Sequence, residues 1–138
     1  MQESAGLLII KDNKILLCHP TGSNWYATYS IPKGLIDKDE DKISAAIRET
    51  FEEIGIIIDS SKIDKTEHII NYYKKGVIFK KVYYFITDGN DINFDIIPKR
   101  NLIPNPEGIL EIDWAGFLNK EESEERIFWR FKEMLEYI

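Results

Sequence analysis

The sequence is poor in the features that mark several common classes of protein. Its only cysteine is Cys18, which excludes an intramolecular disulfide and a multi-cysteine zinc cluster. The 24 acidic residues outnumber the 18 basic ones, so no long nucleic acid is expected as a partner. The amino-terminal run MQESAGLLIIKDNK has acidic residues and only a short apolar stretch, so neither a signal peptide nor a membrane span is predicted.

Repeats, low-complexity tracts and flexible linkers are also absent from the sequence. We therefore predict a single domain over residues 1–138, a length that can bury a hydrophobic core without disulfides. A soluble, cytoplasmic protein is expected, because the lone cysteine suits a reducing compartment. The pattern does not decide between a monomer and a homodimer, since apolar hairpins can be buried within one chain or between two.

What the sequence does contain is an alternation of strand-like and helix-like segments. Residues 88–108 have the glycine and proline content of a long irregular segment, a type that is often functional. A closing amphipathic helix is predicted over 119–138, with Asn119 as its N-cap. Together these segments predict an α+β fold with a mixed sheet packed between helices. Strands are predicted from β-branched and aromatic residues on both sides of the polar turn 11–14 and at 56–58, 67–73, 77–87 and 109–117.

A further helix is predicted over residues 39–54, because apolar residues recur there every three or four positions. The other side of this helix carries Glu49, Glu52 and Glu53, whose carboxylates repel one another on adjacent turns. A cation is therefore expected beside them. Gly55 follows where helices often end in a left-handed residue. The predicted core side consists of Ile43, Ala46, Ile47, Thr50, Phe51 and Ile54.

Three carboxylates on adjacent turns offer the hard oxygen ligands that Mg²⁺ prefers. Because Mg²⁺ also accepts phosphate oxygens, a phosphate-bearing ligand is expected, and the metal would activate water for hydrolysis of a diphosphate bond. Arg48 precedes the first acid and is predicted to pair with a neighbouring carboxylate, which would hold its rotamer. A solvated acidic helix face is the alternative that the helix alone leaves open.

The residues before the helix extend this pattern into a longer motif. It resembles the Nudix box, the signature of hydrolases that cleave nucleoside diphosphates linked to another moiety. Thr50 is the one departure, where the family has a bulky aliphatic residue, and it bears on the packing of the helix. The resemblance implies a Nudix-type α/β/α sandwich with a mixed β-sheet. The motif is Gly34, five residues, Glu40, seven residues, Arg48-Glu49, two residues, Glu52-Glu53, one residue, then Gly55-Ile56.

The same resemblance implies roles for individual residues. Glu49, Glu52 and Glu53 would bind the metal, Mg²⁺ or Mn²⁺, or act as the base. A backbone carbonyl at Lys33 or Gly34 would add a ligand.

The family often recruits one more acid from outside the box. Glu111, in GILEIDWAGF, is the first choice for this catalytic and metal-binding acid, and Glu107 is the second. Glu40 would be a supporting acid. Which glutamate is the base stays open among Glu49, Glu53 and Glu111, because coupled acids share their titrations.

The substrate is predicted from the residues that precede the box. The sequence Pro32-Lys33-Gly34 is similar to that of Nudix enzymes acting on dinucleoside polyphosphates and related polyphosphates. Lys33 would lie beside the phosphate chain and stabilise its charge. Trp25 and Tyr26 are candidates to stack on a base, although such aromatics also pack loops down.

The predicted activity is thus metal-dependent hydrolysis of a diphosphate linkage in a dinucleoside polyphosphate or a nucleoside triphosphate. One alternative is a Nudix-fold sensor that binds a nucleotide without cleaving it, and another is an ADP-ribose or nucleotide-sugar pyrophosphatase. A third is a protein-interaction domain that uses the acidic surface or residues 119–138. The complete set of carboxylates favours the enzyme. Both histidines, His19 and His68, are predicted to be structural.

Overall fold

A six-stranded sheet forms the centre of the protein, whose computed structural model describes residues 1–138. The order across the sheet is β4-β5-β1-β2-β6, and the short β3 pairs with the first half of β1. Strand β1 runs parallel to β5 and antiparallel to β2 and β3, which confirms the predicted mixed sheet. The strands are β1 Gln2–Lys11, β2 Lys14–Pro20, β3 Lys33–Leu35, β4 His68–Lys74, β5 Val77–Asp88 and β6 Ile112–Leu118.

Two α-helices accompany the sheet, α1 at Lys42–Ile54 and α2 at Lys120–Arg126. Neither they nor any other helix is long and apolar enough to cross a membrane. Short 3₁₀ segments occupy Ser60–Lys62 and Lys99–Asn101, and a longer one occupies Trp129–Tyr137.

Helix α1 begins later than predicted and ends where predicted. Asp39 has a left-handed φ of 64°, so the helix cannot include it. Asp41 is the N-cap, and its side chain accepts a hydrogen bond from the Ser44 amide. At the other end Gly55 adopts φ 72°, the left-handed conformation expected of it.

The two faces of the sheet carry separate apolar cores, and each core is closed by a different part of the chain. Helix α1 packs through Ala45, Ala46 and Ile54 on one face. The Trp129–Tyr137 segment packs on the other through Phe131, Met134 and Leu135. This arrangement confirms the predicted α/β/α sandwich.

Thr50, the departure from the family motif, is fully buried in helix α1. Its hydroxyl donates to the Ala46 carbonyl oxygen at 2.8 Å, so the polar group is satisfied within the helix. The helix therefore tolerates a threonine on its core side.

The predicted single helix over 119–138 is wrong. Asn119 does form the expected N-cap, with a complete capping box to Glu122, but α2 ends at Arg126. Ile127 then turns extended, and the Phe128 amide donates to the Tyr29 carbonyl oxygen at 2.9 Å. Pairing with a distant loop thus overrides the helical pattern.

Two strand predictions also need correction. Residues 56–58 form no strand, although Ile58 is buried against the α1 core. The last strand begins at Ile112 instead of 109, so Glu111 lies just before the sheet ladder rather than within it.

Candidate active site

One cavity of about 680 Å³ brings together most of the residues predicted to form the site. It lies between helix α1, strand β3 and the residues that lead into β6. Residues 103–106 of the long irregular segment form a further wall. The predicted residues in the lining are Lys33, Gly34, Glu49, Glu52, Glu53 and Glu111.

Strand β3 touches two of the helix carboxylates through its backbone. A β-carbon at Gly34 would collide with the carboxyl group of Glu49, so only glycine permits this close approach. The Lys33 amide donates to Glu53 Oε1 at 2.9 Å. Glu49 and Glu53 therefore lie against the same peptide segment that is predicted to offer a carbonyl ligand.

Arg48 does not line the cavity but forms hydrogen bonds with three nearby glutamates. Its Nε and Nη2 donate to the two carboxylate oxygens of Glu40 at 2.8 and 2.9 Å. Its Nη1 donates to Glu49 at 2.8 Å and to Glu52 at 3.1 Å. These hydrogen bonds lower the pKa of Glu40 and raise that of Arg48 itself. Arg48 thus keeps its charge and orients three carboxylates.

The helix carboxylates share the cavity but do not point to one position. No three acidic, histidine or cysteine side chains are arranged as a common ligand set, because Glu49 and Glu52 turn to Arg48 while Glu53 turns to Lys33. The Glu52 side chain is 53% exposed, so it can rotate towards the cavity. The donor set itself, carboxylates and backbone carbonyls, fits a hard divalent cation.

Burial sets the protonation of the innermost acid. Desolvation raises the pKa of Glu53 to about 8, and the Glu49 charge adds to this effect against the opposing Lys33 amide. Desolvation also raises the pKa of Glu49, although Arg48 opposes it. Without a cation, Glu53 is therefore largely protonated at neutral pH, and a positive charge nearby would favour its ionised form.

The acid that sequence analysis chose from outside the box lies in the cavity wall. Glu111 has one side-chain contact, a long hydrogen bond of 3.5 Å from Asn105 Nδ2. The second choice, Glu107, does not line the cavity, and its amide donates to Asn105 Oδ1 within a local turn.

Lys33 points away from helix α1, because successive side chains of a strand alternate between faces. Its Nζ lies 5.8 Å from the ring centre of Phe131, on the face opposite the acids. Burial lowers the pKa of Lys33, and the charge of Lys80 adds to this effect, whereas Glu53 and Glu49 oppose it. Lys33 thus lies within electrostatic range of both faces.

Beyond Lys33 the opposite face carries a cationic and aromatic area that sequence analysis did not identify. Lys80 Nζ lies 5.2 Å from the ring centre of Tyr72, and Arg130 Cζ lies 4.4 Å from it. Arg130 also lies 4.4 Å from the ring centre of Trp129, which is 61% exposed. We call Lys33, Lys80, Arg130, Tyr72 and Trp129 the Tyr72 surface.

Two other aromatic candidates lie elsewhere. Trp25 stacks on His19 with 3.6 Å between ring centroids, and Tyr26 is 67% exposed. Neither lines the acidic cavity. Conversely, Phe51 was predicted to face the core but is 44% exposed and lines the cavity. That prediction is wrong, because Phe51 follows Thr50 around the helix towards the side of Glu52.

Solved structures of several proteins share this fold. A C. elegans Ap4A hydrolase in a binary complex is 24% identical, with a TM-score of 0.64 and coverage of 99% of this chain and 94% of that one. A MutT NUDIX hydrolase from Burkholderia pseudomallei is 17% identical, with a TM-score of 0.70 and coverage of 99% and 97%.

A third similar structure is a bifunctional NMN adenylyltransferase/ADP ribose pyrophosphatase from Francisella tularensis, complexed with AMP and a Mn ion. It is 16% identical, with a TM-score of 0.66, and the match covers 96% of this chain and 39% of that one. At these identities the likenesses show a common fold. No curated protein sequence matches the chain.

The NUDIX domain profile matches residues 1–129, which span the whole acidic cavity. This match confirms the predicted family. It also confirms the predicted class of enzyme, a pyrophosphohydrolase that acts on nucleotide diphosphate linkages. From its sequence motif, its sandwich fold and this match, the chain belongs to the NUDIX domain family.

Proposed function

We propose that the protein is a Mg²⁺- or Mn²⁺-dependent hydrolase of nucleotide polyphosphates, with dinucleoside polyphosphates as preferred substrates and nucleoside triphosphates next. One observation carries the proposal: a single cavity holds Glu49, Glu52, Glu53 and Glu111, with the Glu49 carboxyl group against the backbone of Gly34. Four acids in one cavity would repel an anionic substrate unless a cation were bound between them and the substrate.

The residues that would hold the metal are the four cavity glutamates and a backbone carbonyl of Lys33 or Gly34. Bound there, a divalent cation would supply charge neutralisation for the phosphate and a water of lowered pKa. The Francisella tularensis structure with AMP and a Mn ion supports this choice of cation.

The protein's own contribution is orientation and proton transfer. Arg48 fixes Glu49 through a 2.8 Å hydrogen bond, and the Lys33 amide fixes Glu53 at 2.9 Å. One of Glu49, Glu53 and Glu111 accepts the proton of the attacking water as general base. Residues 103–106 form an irregular wall of the cavity and are joined to the end of helix α1, where the Ile103 amide donates to the Glu53 carbonyl oxygen.

The substrate class follows from the Tyr72 surface. Trp129, which is 61% exposed, offers a ring for stacking on a nucleobase, and Lys80 and Arg130 match the charge of a polyphosphate chain. The charges of Lys80 on one face of β3 and of Glu53 and Glu49 on the other both act on Lys33. A chain of phosphates would therefore run beside Lys33 from the Tyr72 surface to the acidic cavity. The likeness to the C. elegans Ap4A hydrolase supports a substrate with a nucleoside at each end.

Trp25 is a second candidate to stack on a base, at the nucleoside farther from the Tyr72 surface, although one face of its ring is already covered by His19.

An ADP-ribose or nucleotide-sugar pyrophosphatase is the alternative activity within the same family. Such an enzyme would have no need of three cations on the Tyr72 surface, since its substrate carries a shorter phosphate chain.

The experiment is a substrate panel with Mg²⁺ and then Mn²⁺: diadenosine polyphosphates, nucleoside triphosphates, ADP-ribose and nucleotide sugars, with products separated by chromatography. Glu53→Gln is run in parallel, with Glu107→Gln as a matched control outside the cavity. We expect hydrolysis of diadenosine polyphosphates that Glu53→Gln abolishes and Glu107→Gln retains. Nucleotide binding without turnover of any substrate would instead identify a sensor.

A further inference from the structure

Glu111 lies in the cavity without the support of the sheet, because β6 begins one residue later. Its side chain has a single long contact with Asn105. Its backbone is held from another part of the chain, since the Thr21 amide donates to the Glu111 carbonyl oxygen at 2.9 Å. The position of this acid therefore depends on the loop that follows β2.

His19 anchors that loop from within the protein. It is 1% exposed, and its Nδ1 lies 2.5 Å from Asp113 Oδ1. Its Nε2 lies 3.1 and 3.0 Å from the carbonyl oxygens of Ser23 and Asn24. One imidazole ring thus connects β6 with the loop at residues 21–24.

The chemistry of the loop partners assigns one proton. Carbonyl oxygens only accept hydrogen bonds, so Nε2 of His19 must donate to Ser23 and Asn24. The other ring nitrogen, Nδ1, is hydrogen-bonded to Asp113 Oδ1. Trp25 stacks on the ring at 3.6 Å and Tyr29 meets its edge at 5.1 Å, which keeps water from competing for these bonds.

A local irregularity in the sheet produces this arrangement. His19 pairs with Trp114, but the next residue, Pro20, pairs with Ile112, so Asp113 is the extra residue of a bulge. Bulges redirect side chains, and here the redirected carboxylate reaches His19. The same bulge leads directly into Glu111.

We propose that His19 is a positioning residue for the acidic site: it holds Glu111 in place by tying residues 21–24 to Asp113. The inference rests on the proposed metal-binding role of Glu111. Asp113 and Glu111 flank Ile112, and each is bound to the same short segment, one through the His19 ring and the other through the Thr21 amide. Without the imidazole, Ser23 and Asn24 lose their link to Asp113, and the neighbouring Thr21 amide is held less firmly against Glu111.

The test uses the whole protein and measures two quantities, the Mn²⁺ dissociation constant by electron paramagnetic resonance and the kinetics of hydrolysis. The variant is His19→Asn, with the other histidine of the chain, His68→Asn, as its matched control. We expect His19→Asn to weaken Mn²⁺ binding by about 10- to 100-fold and to lower kcat at limiting metal. His68→Asn should match the wild type, and KM for the nucleotide at saturating metal should change little in both.

A double-mutant cycle separates positioning from general support of the fold. If His19 acts through Glu111, His19→Asn should have no further effect on Mn²⁺ binding in a Glu111→Gln background. Losses that simply add in the double variant would overturn the proposal.

Asp113 provides a second route in case His19→Asn does not fold. Asp113→Asn should retain Mn²⁺ affinity, because its amide can donate to Nδ1 while Nε2 still donates to the loop. Asp113→Ala should lose affinity as His19→Asn does. Equal behaviour of the two Asp113 variants would contradict the role given to His19.

The outcomes distinguish this inference from the proposed function. A wild-type protein that neither binds Mn²⁺ nor hydrolyses any nucleotide would remove the proposed function, and this inference with it. A wild-type protein that does both, with a His19→Asn variant that matches it, would remove the role of His19 alone.

Discussion

The two faces of strand β3 differ in sign of charge and in what they require from solution. The face of Gly34 meets buried carboxylates, whereas the face of Lys33 meets cations and aromatic rings. Carboxylates repel phosphate unless a cation is bound between them, whereas the cations of the Tyr72 surface carry the charge that attracts phosphate. Because Lys33 and Gly34 are adjacent in β3, a substrate would be bound by side-chain cations on one face and cleaved with the help of a bound metal cation on the other.

The strongest way to break this comparison is to remove charge from the acidic face. We expect Glu53→Gln to reduce kcat by about 10²- to 10⁴-fold, the range for loss of a general base or its equivalent. Steady-state kinetics with a diadenosine polyphosphate measure the effect. Glu107→Gln, outside the cavity, is the control, and equal losses in the two variants would mean that the cavity is not the site of reaction.

Glu53→Gln should raise the free energy of unfolding although it lowers kcat. The unfolded pKa of a glutamate is roughly 4.3, whereas that of Glu53 in the fold is about 8. Between these values the unfolded chain binds fewer protons, so stability falls as pH rises, by about 1.4 kcal/mol per pH unit at most. Glu53→Gln abolishes this loss.

Thermal unfolding in a metal-free buffer at pH 5 and pH 8 checks this prediction. The Glu53→Gln variant should gain most over the wild type at pH 8. The exposed Glu52→Gln is the control and should show no such gain. A stabilisation that is the same at both pH values would show that Glu53 is not protonated in the fold.

A side chain placed between strand β3 and helix α1, at Gly34, should have a smaller effect on activity. Gly34→Ala would place a methyl group against the Glu49 carboxyl group, at a cost of about 1–3 kcal/mol in stability. It should also weaken Mn²⁺ binding, because Glu49 must move. Leu35→Ala, one position along with an exposed side chain, should keep Mn²⁺ affinity; if both variants bind alike, the close approach is not needed for the site.

The acidic face could be predicted from sequence because its information is local. The glutamate spacing, the helical periodicity and the glycine at the end of the helix all lie within the box, and the structure brings Glu49, Glu52 and Glu53 into one cavity. Even there, Phe51 was placed on the wrong side. The apolar arc of a helix predicts a core only where another element packs over it, and Phe51, which is 44% exposed, instead lines the cavity together with residues 103–106.

The opposite face could not be predicted, because its residues come from three distant parts of the chain. Lys33 belongs to β3, Tyr72 and Lys80 pair across the β4–β5 hairpin, and Arg130 joins them only after the carboxy-terminal segment docks on the sheet. That docking depends on Ile127 and Phe128, which leave the helical pattern to pair with Tyr29. Periodicity within residues 119–138 contains no trace of this partner.

The finest test of the comparison removes one cation from the opposite face. Lys80→Ala deletes a charge 5.2 Å from the ring centre of Tyr72, and a cation–π contact of this kind contributes about 0.5–2 kcal/mol. We expect KM for a diadenosine polyphosphate to rise severalfold while kcat and Mn²⁺ affinity stay unchanged, because the acids are untouched. Lys74→Ala, at the end of β4 beside the hairpin turn, is the matched control. A fall in kcat with KM unchanged would place Lys80 in the chemical step and end the division of roles between the two faces.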